Sequence, residues 1–111
     1  MLQIDNDGTV HLTRGDTARF SVSINNDTSG SEYEMSTGDV LKLTVKKTVR
    51  DTTPCIQKVV EGFNNIHISP EDTNDLEFGK YLYDVELTTE GGDVYTVIGP
   101  TTFEILKEVT C

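Results

Sequence analysis

The chain has 111 residues, of which 19 are acidic and 9 are Lys or Arg, so its formal net charge is −10. This length fits a single domain, residues 1–111, and a hydrophobic content of 35% is enough for one modest core. The negative charge excludes nucleic acid and anionic membranes as expected partners, because phosphate groups are bound mainly by clustered Lys and Arg.

Alternating apolar and polar residues predict short β-strands throughout the chain. In chain order, the predicted strands are Val10–Leu12, Ala18–Ile24, Leu41–Val45, Ile56–Val60, Ile66–Ile68, Tyr81–Leu87, Val94–Ile98 and Phe103–Leu106. Turn-forming residues separate them, as in Arg14-Gly15-Asp16 and in the predicted hairpin tip Glu90–Asp93. One helical turn is expected after Ser69, which can act as the N-cap because Pro70 suits the first helical position.

This pattern favours an all-β fold, an immunoglobulin-like two-sheet antiparallel β-sandwich of seven to eight strands. Leu76-Glu77-Phe78-Gly79-Lys80-Tyr81 fits the L-x-x-G-x-Y pattern of a tyrosine corner, in which the tyrosine hydroxyl bonds to upstream backbone. We also expect the strands at 41–45 and 81–87 to pair. That pairing would place Lys42 and Lys46 on the solvent face near Asp84 and Glu86.

The sequence contains no recognisable catalytic, metal or cofactor site. His11 and His67 have no second His or Cys at metal-ligand spacing, and neither a nucleophile elbow nor a phosphate-binding glycine motif occurs. We therefore expect a non-enzymatic protein without a cofactor. Cys55 is interpreted as a residue that fills space within a strand. Asn26-Asp27-Thr28 satisfies the N-glycosylation sequon and is interpreted as a loop.

Two short motifs near the N-terminus bear on location. Arg14-Gly15-Asp16 matches the tripeptide that integrins recognise, but we interpret it as a tight turn between two strands. The segment Met1–Asp5 has neither a basic region nor an apolar stretch after it, so no secretion signal is expected. The longest apolar runs fall far short of the roughly 18 residues of a membrane-spanning helix. These observations indicate a cytoplasmic protein.

The last two predicted strands carry the candidate contact residues. Val97 and Leu106 are out of phase with the apolar alternation next to them, which would put apolar side chains on the solvent face. Tyr95 is the aromatic residue that the alternation most clearly exposes. We therefore predict partner contacts at Tyr95, Val97 and Leu106. A β-bulge at Gly99-Pro100 that switches the faces explains the same pattern equally well.

Four segments of the chain carry a resemblance to known proteins: 12–18 (LTRGDTA), 38–47 (GDVLKLTVKK), 68–76 (ISPEDTNDL) and 79–89 (GKYLYDVELTT). They resemble small proteins encoded in prophage structural regions of Firmicutes. The R-G-D-T opening and the sandwich pattern are also similar, more loosely, to the immunoglobulin-like N-terminal domain of phage baseplate upper proteins. The resemblance implies a tail or baseplate assembly component that binds other phage structural proteins or further copies of itself, and it implies no catalytic residue.

An alternative function of a different class is a receptor- or glycan-binding module on the phage surface. It would use the loop Asn25–Glu34, the hairpin Glu90–Asp93 and the side chain of Tyr95. Under either hypothesis we expect the protein in the host cytoplasm during assembly, with the virion as a second location.

Overall fold

The computed structural model of the protein describes residues 2–4, 8–24, 33, 35–48, 50 and 53–107. This part of the chain contains eight strands and one helical turn. The strands are β1 (Leu2–Ile4), β2 (Val10–Thr13), β3 (Ala18–Ser21), β4 (Val40–Lys46), β5 (Ile56–Glu61), β6 (Asn65–Ile68), β7 (Gly79–Thr88) and β8 (Val94–Leu106). The helical turn α1 (Pro70–Thr73) lies between β6 and β7.

The strands form two sheets, so the fold is all-β as predicted. One sheet has six strands in the order β1-β2-β8-β7-β4-β5, and the other pairs β3 with β6. Every described pair is antiparallel except β2 with β8, which run parallel from Val10 beside Phe103 to Thr13 beside Leu106. The expected purely antiparallel arrangement is therefore wrong at this pair. Alternation indicates which face a residue occupies and contains no information on strand direction.

A single hydrophobic core joins the two sheets. Inward-facing side chains of the six-stranded sheet, such as Leu12 and Phe103, belong to the same buried cluster as Ile66 of the two-stranded sheet. The ring of Tyr83 packs edge-on against Phe103, with centroids 5.8 Å apart. This geometry is favourable for aromatic pairs and adds to the free energy gained from burial.

The predicted pairing of β4 with β7 is confirmed. Lys42 lies beside Glu86 and Thr44 beside Asp84, with their side chains on the face away from the core. The Nζ atom of Lys42 is 3.9 Å from Oε1 of Glu86. Opposite charges on one face stabilise such a pair, and the alternative register would bury them.

The last two predicted strands are one continuous strand, β8. Its register against β7 shifts twice, because β8 has one extra residue between the pairs Tyr83–Thr101 and Val85–Ile98 and another between Val85–Ile98 and Glu86–Thr96. The first irregularity contains Gly99-Pro100, where a bulge was one of the two predicted explanations. Since each extra residue reverses the alternation, consecutive apolar residues of β8 can both face the core.

Most other strands differ from the prediction by one or two residues at an end, and three further features were not predicted. The short edge strand β1 was not predicted. β3 ends at Ser21, although Val22 still donates its N–H to the carbonyl of Asn64 at 2.9 Å. Cys55 precedes β5 and is exposed, so its interpretation as a space-filling strand residue is wrong. The N–H of Cys55 donates to the carbonyl of Val45 at 2.7 Å. Cys55 therefore continues the backbone hydrogen bonding between β4 and β5, although the residue is exposed.

Candidate interaction site

The three predicted contact residues lie along β8 and do not form one patch. Tyr95 is near the N-terminal end of the strand and is 54% exposed, whereas Leu106 is its last residue and is 37% exposed. Eleven positions of extended chain separate them, which is about 36 Å at about 3.3 Å per residue. Val97, between them, is half-buried and packs against the core. Tyr95 is therefore the member of the set with the most accessible surface.

The N-terminal half of β8 forms a sheet edge in the described part of the chain. β2 pairs only with the last residues of β8, from Phe103 to Leu106, whereas β7 pairs with β8 from Val94 onward. No other described strand lies beside residues 94–98. The side chains of Val94 and Tyr95 on this edge are both more than half exposed. Exposed apolar side chains next to unpaired backbone groups form an arrangement to which another strand can be added.

Asp39 lies directly before β4 and is buried, and its carboxylate accepts three hydrogen bonds. Oδ2 accepts from the Tyr33 hydroxyl at 2.6 Å and from the Ser36 N–H at 3.0 Å. Oδ1 accepts from the Glu90 N–H at 3.0 Å, and the backbone carbonyl of Asp39 accepts from the Gly62 N–H at 2.8 Å. This residue therefore connects the β3–β4 loop, the β5–β6 turn and the β7–β8 hairpin.

The hydrogen bonds also stabilise the charged form of Asp39. The Ser36 N–H and the Tyr33 hydroxyl lower the pKa of the carboxyl, with a further contribution from the Glu90 N–H, although burial acts in the opposite direction. The same contact with Asp39 raises the pKa of Tyr33. The hydrogen bond between Tyr33 and Asp39 therefore joins a neutral phenol to an ionised carboxylate, and both forms are present at neutral pH.

Close approach of the β3–β4 loop and the β7–β8 hairpin depends on the absence of a side chain at Gly38. A Cβ atom at this position would lie 2.5 Å from Cγ of Glu90, a separation that real Cβ atoms essentially never show. Any larger residue at Gly38 would push the β7–β8 hairpin away from Asp39. We call the surface formed by Tyr33 and residues 35–39, 61–64 and 88–95 the Asp39 end.

The Asp39 end presents apolar and acidic side chains. Its exposed large apolar residues are Phe63, Val94 and Tyr95. Its exposed charged residues in the described chain are all acidic: Glu61, Glu90 and Asp93. The sequence places no Lys or Arg in the three segments that form this end. Negative charge is therefore concentrated at this end of the molecule, and the electrostatic potential there is more negative than an even distribution of the net charge would give.

The opposite end of β4 and β7 contains Arg14-Gly15-Asp16, which forms the predicted turn. The Gly15 N–H donates to Oγ1 of the buried Thr73 at 2.8 Å. Nη1 of Arg14 donates to the Leu76 carbonyl at 3.3 Å, and the guanidinium lies 4.2 Å from the centre of the Phe78 ring. Arg14 and Gly15 thus contact neighbouring backbone, the Thr73 side chain and an aromatic ring. These contacts give the motif a structural role in the fold.

Tyr81 makes the predicted tyrosine-corner contact at the same end. Its ring is buried, and its hydroxyl donates to the Glu77 carbonyl at 2.8 Å. The preceding turn α1 has Ser69 at its N-cap position, and Oδ2 of Asp72 accepts the Ser69 N–H at 2.7 Å. We call residues 14–16 and 69–81 the corner end.

An ion pair links the corner end to β5. Nζ of Lys58 is 2.8 Å from Oδ2 of Asp72, and both side chains are largely shielded from solvent. Burial raises the pKa of Asp72, but the contacts with Lys58 and the Ser69 N–H outweigh it and leave the pKa below its usual value. The charged carboxylate therefore stabilises α1 in its position against the sheet.

The outer face of the six-stranded sheet is polar. A depression of about 410 Å³ lies over β4, β5 and β7, and its lining includes Lys42, Lys46, Asp84 and Glu86. Further along the same face, Nδ1 of His11 is 2.8 Å from Oε1 of Glu104. The mixture of charge signs makes this face a poor match for an apolar ligand.

The described residues bring no three His, Cys, Asp or Glu side chains together in a way that could hold a metal ion. His67 is exposed on β6, and His11 contacts Glu104. In the same part of the chain, no helix is long and apolar enough to cross a membrane. The sequon Asn26-Asp27-Thr28, Cys111 and all of loop 25–34 except Tyr33 lie outside the described residues.

Asp39 is the site residue that the sequence analysis missed. Its three carboxylate partners include the backbone of Glu90, which is 51 positions away in the chain, and sequence patterns contain no information on such a contact. The available signal was local: an acidic residue follows Gly38 and directly precedes a strongly alternating strand. That signal also fits an ordinary turn, which depends on the same residue types.

Comparisons with known proteins do not assign this site. No protein-family model matches the chain, and neither a curated protein nor a solved structure matches it. The functional interpretation therefore depends on the geometry of the Asp39 end and of β8.

Proposed function

We propose that the protein is a non-enzymatic structural or adaptor protein of a tailed phage, acting through protein–protein contacts in the tail or baseplate. The observation that carries the proposal is the exposure of Val94 and Tyr95 on the part of β8 that no described strand other than β7 pairs with. These residues belong to an end whose connections are fixed by the hydrogen bonds of Asp39. A surface already ordered before binding loses little conformational entropy when a partner docks.

The phage setting is supported by the sequence resemblance to prophage structural proteins. The partners are other phage structural proteins, with further copies of this chain as a second option. Assembly takes place in the host cytoplasm and can place the protein in the virion. Symmetric phage structures are built from small modules that make repeated protein contacts, and an all-β domain with an exposed apolar edge suits that use.

The finer fold assignment in this proposal is an immunoglobulin-like sandwich. The pairing of β3 with β6 corresponds to strands B and E, and β4, β7 and β8 correspond to C, F and G, with β5 as an added strand beside C. The contact of Tyr81 with Glu77 supports the assignment, since it occupies the tyrosine-corner position at the start of strand F. In that architecture the B–C and F–G loops lie at the same end, as do the two connections held by Asp39.

Light scattering coupled to size exclusion tests this function, first on the chain alone over a range of concentrations. The chain is then mixed with the tail and baseplate proteins encoded beside it. We expect a complex of defined stoichiometry, with affinity reduced at least about tenfold when Val94→Ser and Tyr95→Ser are combined. Val59→Ser is the matched control, because Val59 is also an exposed apolar strand residue but lies on β5, at the opposite edge of the sheet. A monomer under all conditions would contradict the proposal.

A second candidate is a receptor- or glycan-binding module of the phage surface, and one contact favours it. The hydroxyl of Tyr33 is fixed by Asp39, and Tyr95 is 54% exposed at the same end of the molecule. Two tyrosines at this end provide aromatic surface and polar tips for a sugar ring. A glycan array and binding to host cell walls test it. Signals lost in Tyr95→Ser would support it, and blank results in both assays would contradict it.

A further inference from the structure

We infer that β8, along the edge that β2 leaves uncovered in the described part of the chain, binds an extended segment of a partner protein that is rich in Lys or Arg. This segment is added as a strand beside residues 94–98. This inference rests on the proposed function, since it names the partner chemistry and the binding mode of the same surface.

The geometry of β8 provides the edge. The strand has 13 residues, and β2 lies beside only the last four of them. One register shift falls between Ile98 and Thr101, and the other lies at Val97, so residues 94–96 pair regularly with β7. Backbone groups of residues 94–98 that point away from β7 have no partner strand among the described residues.

Side chains on the edge supply the apolar part of the contact. Val94 and Tyr95 are 56% and 54% exposed, and Thr96 beside them is also exposed. In strand addition, backbone hydrogen bonds provide much of the affinity and alternate side chains provide specificity. A tyrosine at such a position gives a large contact area at a low cost in side-chain entropy.

Charge determines which kind of segment fits. Glu90 and Asp93 directly precede the edge, Glu61 lies at the same end, and the Asp39 end has no Lys or Arg. A second copy of the chain would bring another net charge of −10 to this surface, which opposes self-association there. A basic segment instead gains from attraction to the carboxylates and is guided to the edge by the same field.

Three short synthetic peptides test the inference on the full chain. One alternates valine with lysine, the second alternates valine with glutamate, and the third is the lysine peptide with alternate backbone amides methylated. We expect the lysine peptide to bind at least about tenfold more tightly than either of the others. It should also slow amide hydrogen exchange within residues 94–98. Methylation removes backbone donors while leaving the charge unchanged, so it separates strand addition from simple attraction.

Paired charge variants provide the matched control. Glu90→Gln combined with Asp93→Asn should weaken binding of the lysine peptide about tenfold, since two rim carboxylates are neutralised. Glu71→Gln combined with Asp75→Asn removes the same number of exposed carboxylates at the corner end and should leave the affinity unchanged.

The outcomes separate this inference from the proposed function. Equal binding of the lysine and glutamate peptides, binding insensitive to methylation, or exchange protection only outside residues 94–98 would overturn it. If no peptide binds but a phage protein complex forms and is lost when Val94→Ser and Tyr95→Ser are combined, strand addition is wrong and the proposed function stands. If the lysine peptide binds at residues 94–98 but no phage protein does, the inference stands and the proposed setting is wrong.

Discussion

The two ends of the molecule are held together by different chemistry. At the Asp39 end, one ionised carboxylate accepts donors from two separate connections, and the carbonyl of the same residue accepts a donor from a third. At the corner end, the neutral hydroxyls of Thr73 and Tyr81 join backbone groups, and the Arg14 guanidinium packs on the Phe78 ring. The first end depends on a single charged group, whereas the second divides its contacts among several residues.

This difference determines how each end responds to perturbation. Loss of the Asp39 carboxylate removes three part-buried hydrogen bonds at once and leaves the N–H groups of Ser36 and Glu90 without this acceptor. Loss of one hydroxyl at the corner end removes a single hydrogen bond and leaves the others in place. The candidate interaction surface is located at the end that depends on one residue.

The largest effect is expected for Asp39→Ala. Because the carboxylate has three partners, this variant should lower the free energy of unfolding more than any other single polar substitution in the described chain. It should also speed hydrogen exchange in residues 35–39, 61–64 and 88–93. Urea unfolding and hydrogen exchange measure both. Asp93→Ala, which removes an exposed acid from the same end, is the control, and an equal loss in the two variants would contradict the assigned role of Asp39.

A smaller effect is expected when acid is added to the unmodified protein. The pKa of Asp39 is lower in the folded protein than its usual value of 3.8, so the unfolded state binds its proton first as the pH falls. Stability contributed by Asp39 is therefore complete above about pH 5 and is lost as the pH falls through the folded pKa. The lowered pKa of Asp72 acts in the same direction.

Urea unfolding at a series of pH values checks this dependence. Asp39→Asn should be less stable than the unmodified protein at neutral pH and should lose less stability on acidification. Identical pH dependence of the two proteins would show that the carboxylate is not linked to folding.

The smallest effect is expected for Tyr81→Phe. This change removes the hydroxyl contact with the Glu77 carbonyl and keeps the buried ring, so we expect a loss of about 1 kcal/mol in the free energy of unfolding. The Asp39 end should keep its hydrogen-exchange pattern. Tyr95→Phe removes an exposed hydroxyl and should change stability by much less. A similar loss in both variants would indicate that the Glu77 contact contributes nothing specific.

Local patterns predicted the features that depend on nearby residues. The pairing of β4 with β7 followed from alternation, and the Tyr81 hydroxyl contact followed from a six-residue motif whose partner is four positions away. The turn at Arg14-Gly15-Asp16 was likewise visible from residue types alone. In each of these cases the residues that determine the feature lie close to it in the sequence.

Features that depend on distant parts of the chain were not predictable in this way. The carboxylate of Asp39 collects donors from Tyr33 and Glu90, which only the completed fold brings together. The parallel pairing of β2 with β8 joins residues more than ninety positions apart. The segment Gly99-Pro100 resembles a turn, but β7 is long enough to hold β8 in register on both sides of the bulge.

The parallel pairing of β2 with β8 also determines how the molecule resists tension. A pull on the start of β2 and the end of β8 would slide these two strands along each other, because they run in the same direction. All the hydrogen bonds between Val10–Thr13 and Phe103–Leu106 would then be loaded at the same time. The antiparallel hairpin of β1 and β2 would instead open one bond at a time. The pair of β2 and β8 is thus oriented for shear, and β1 at the edge of the sheet yields first.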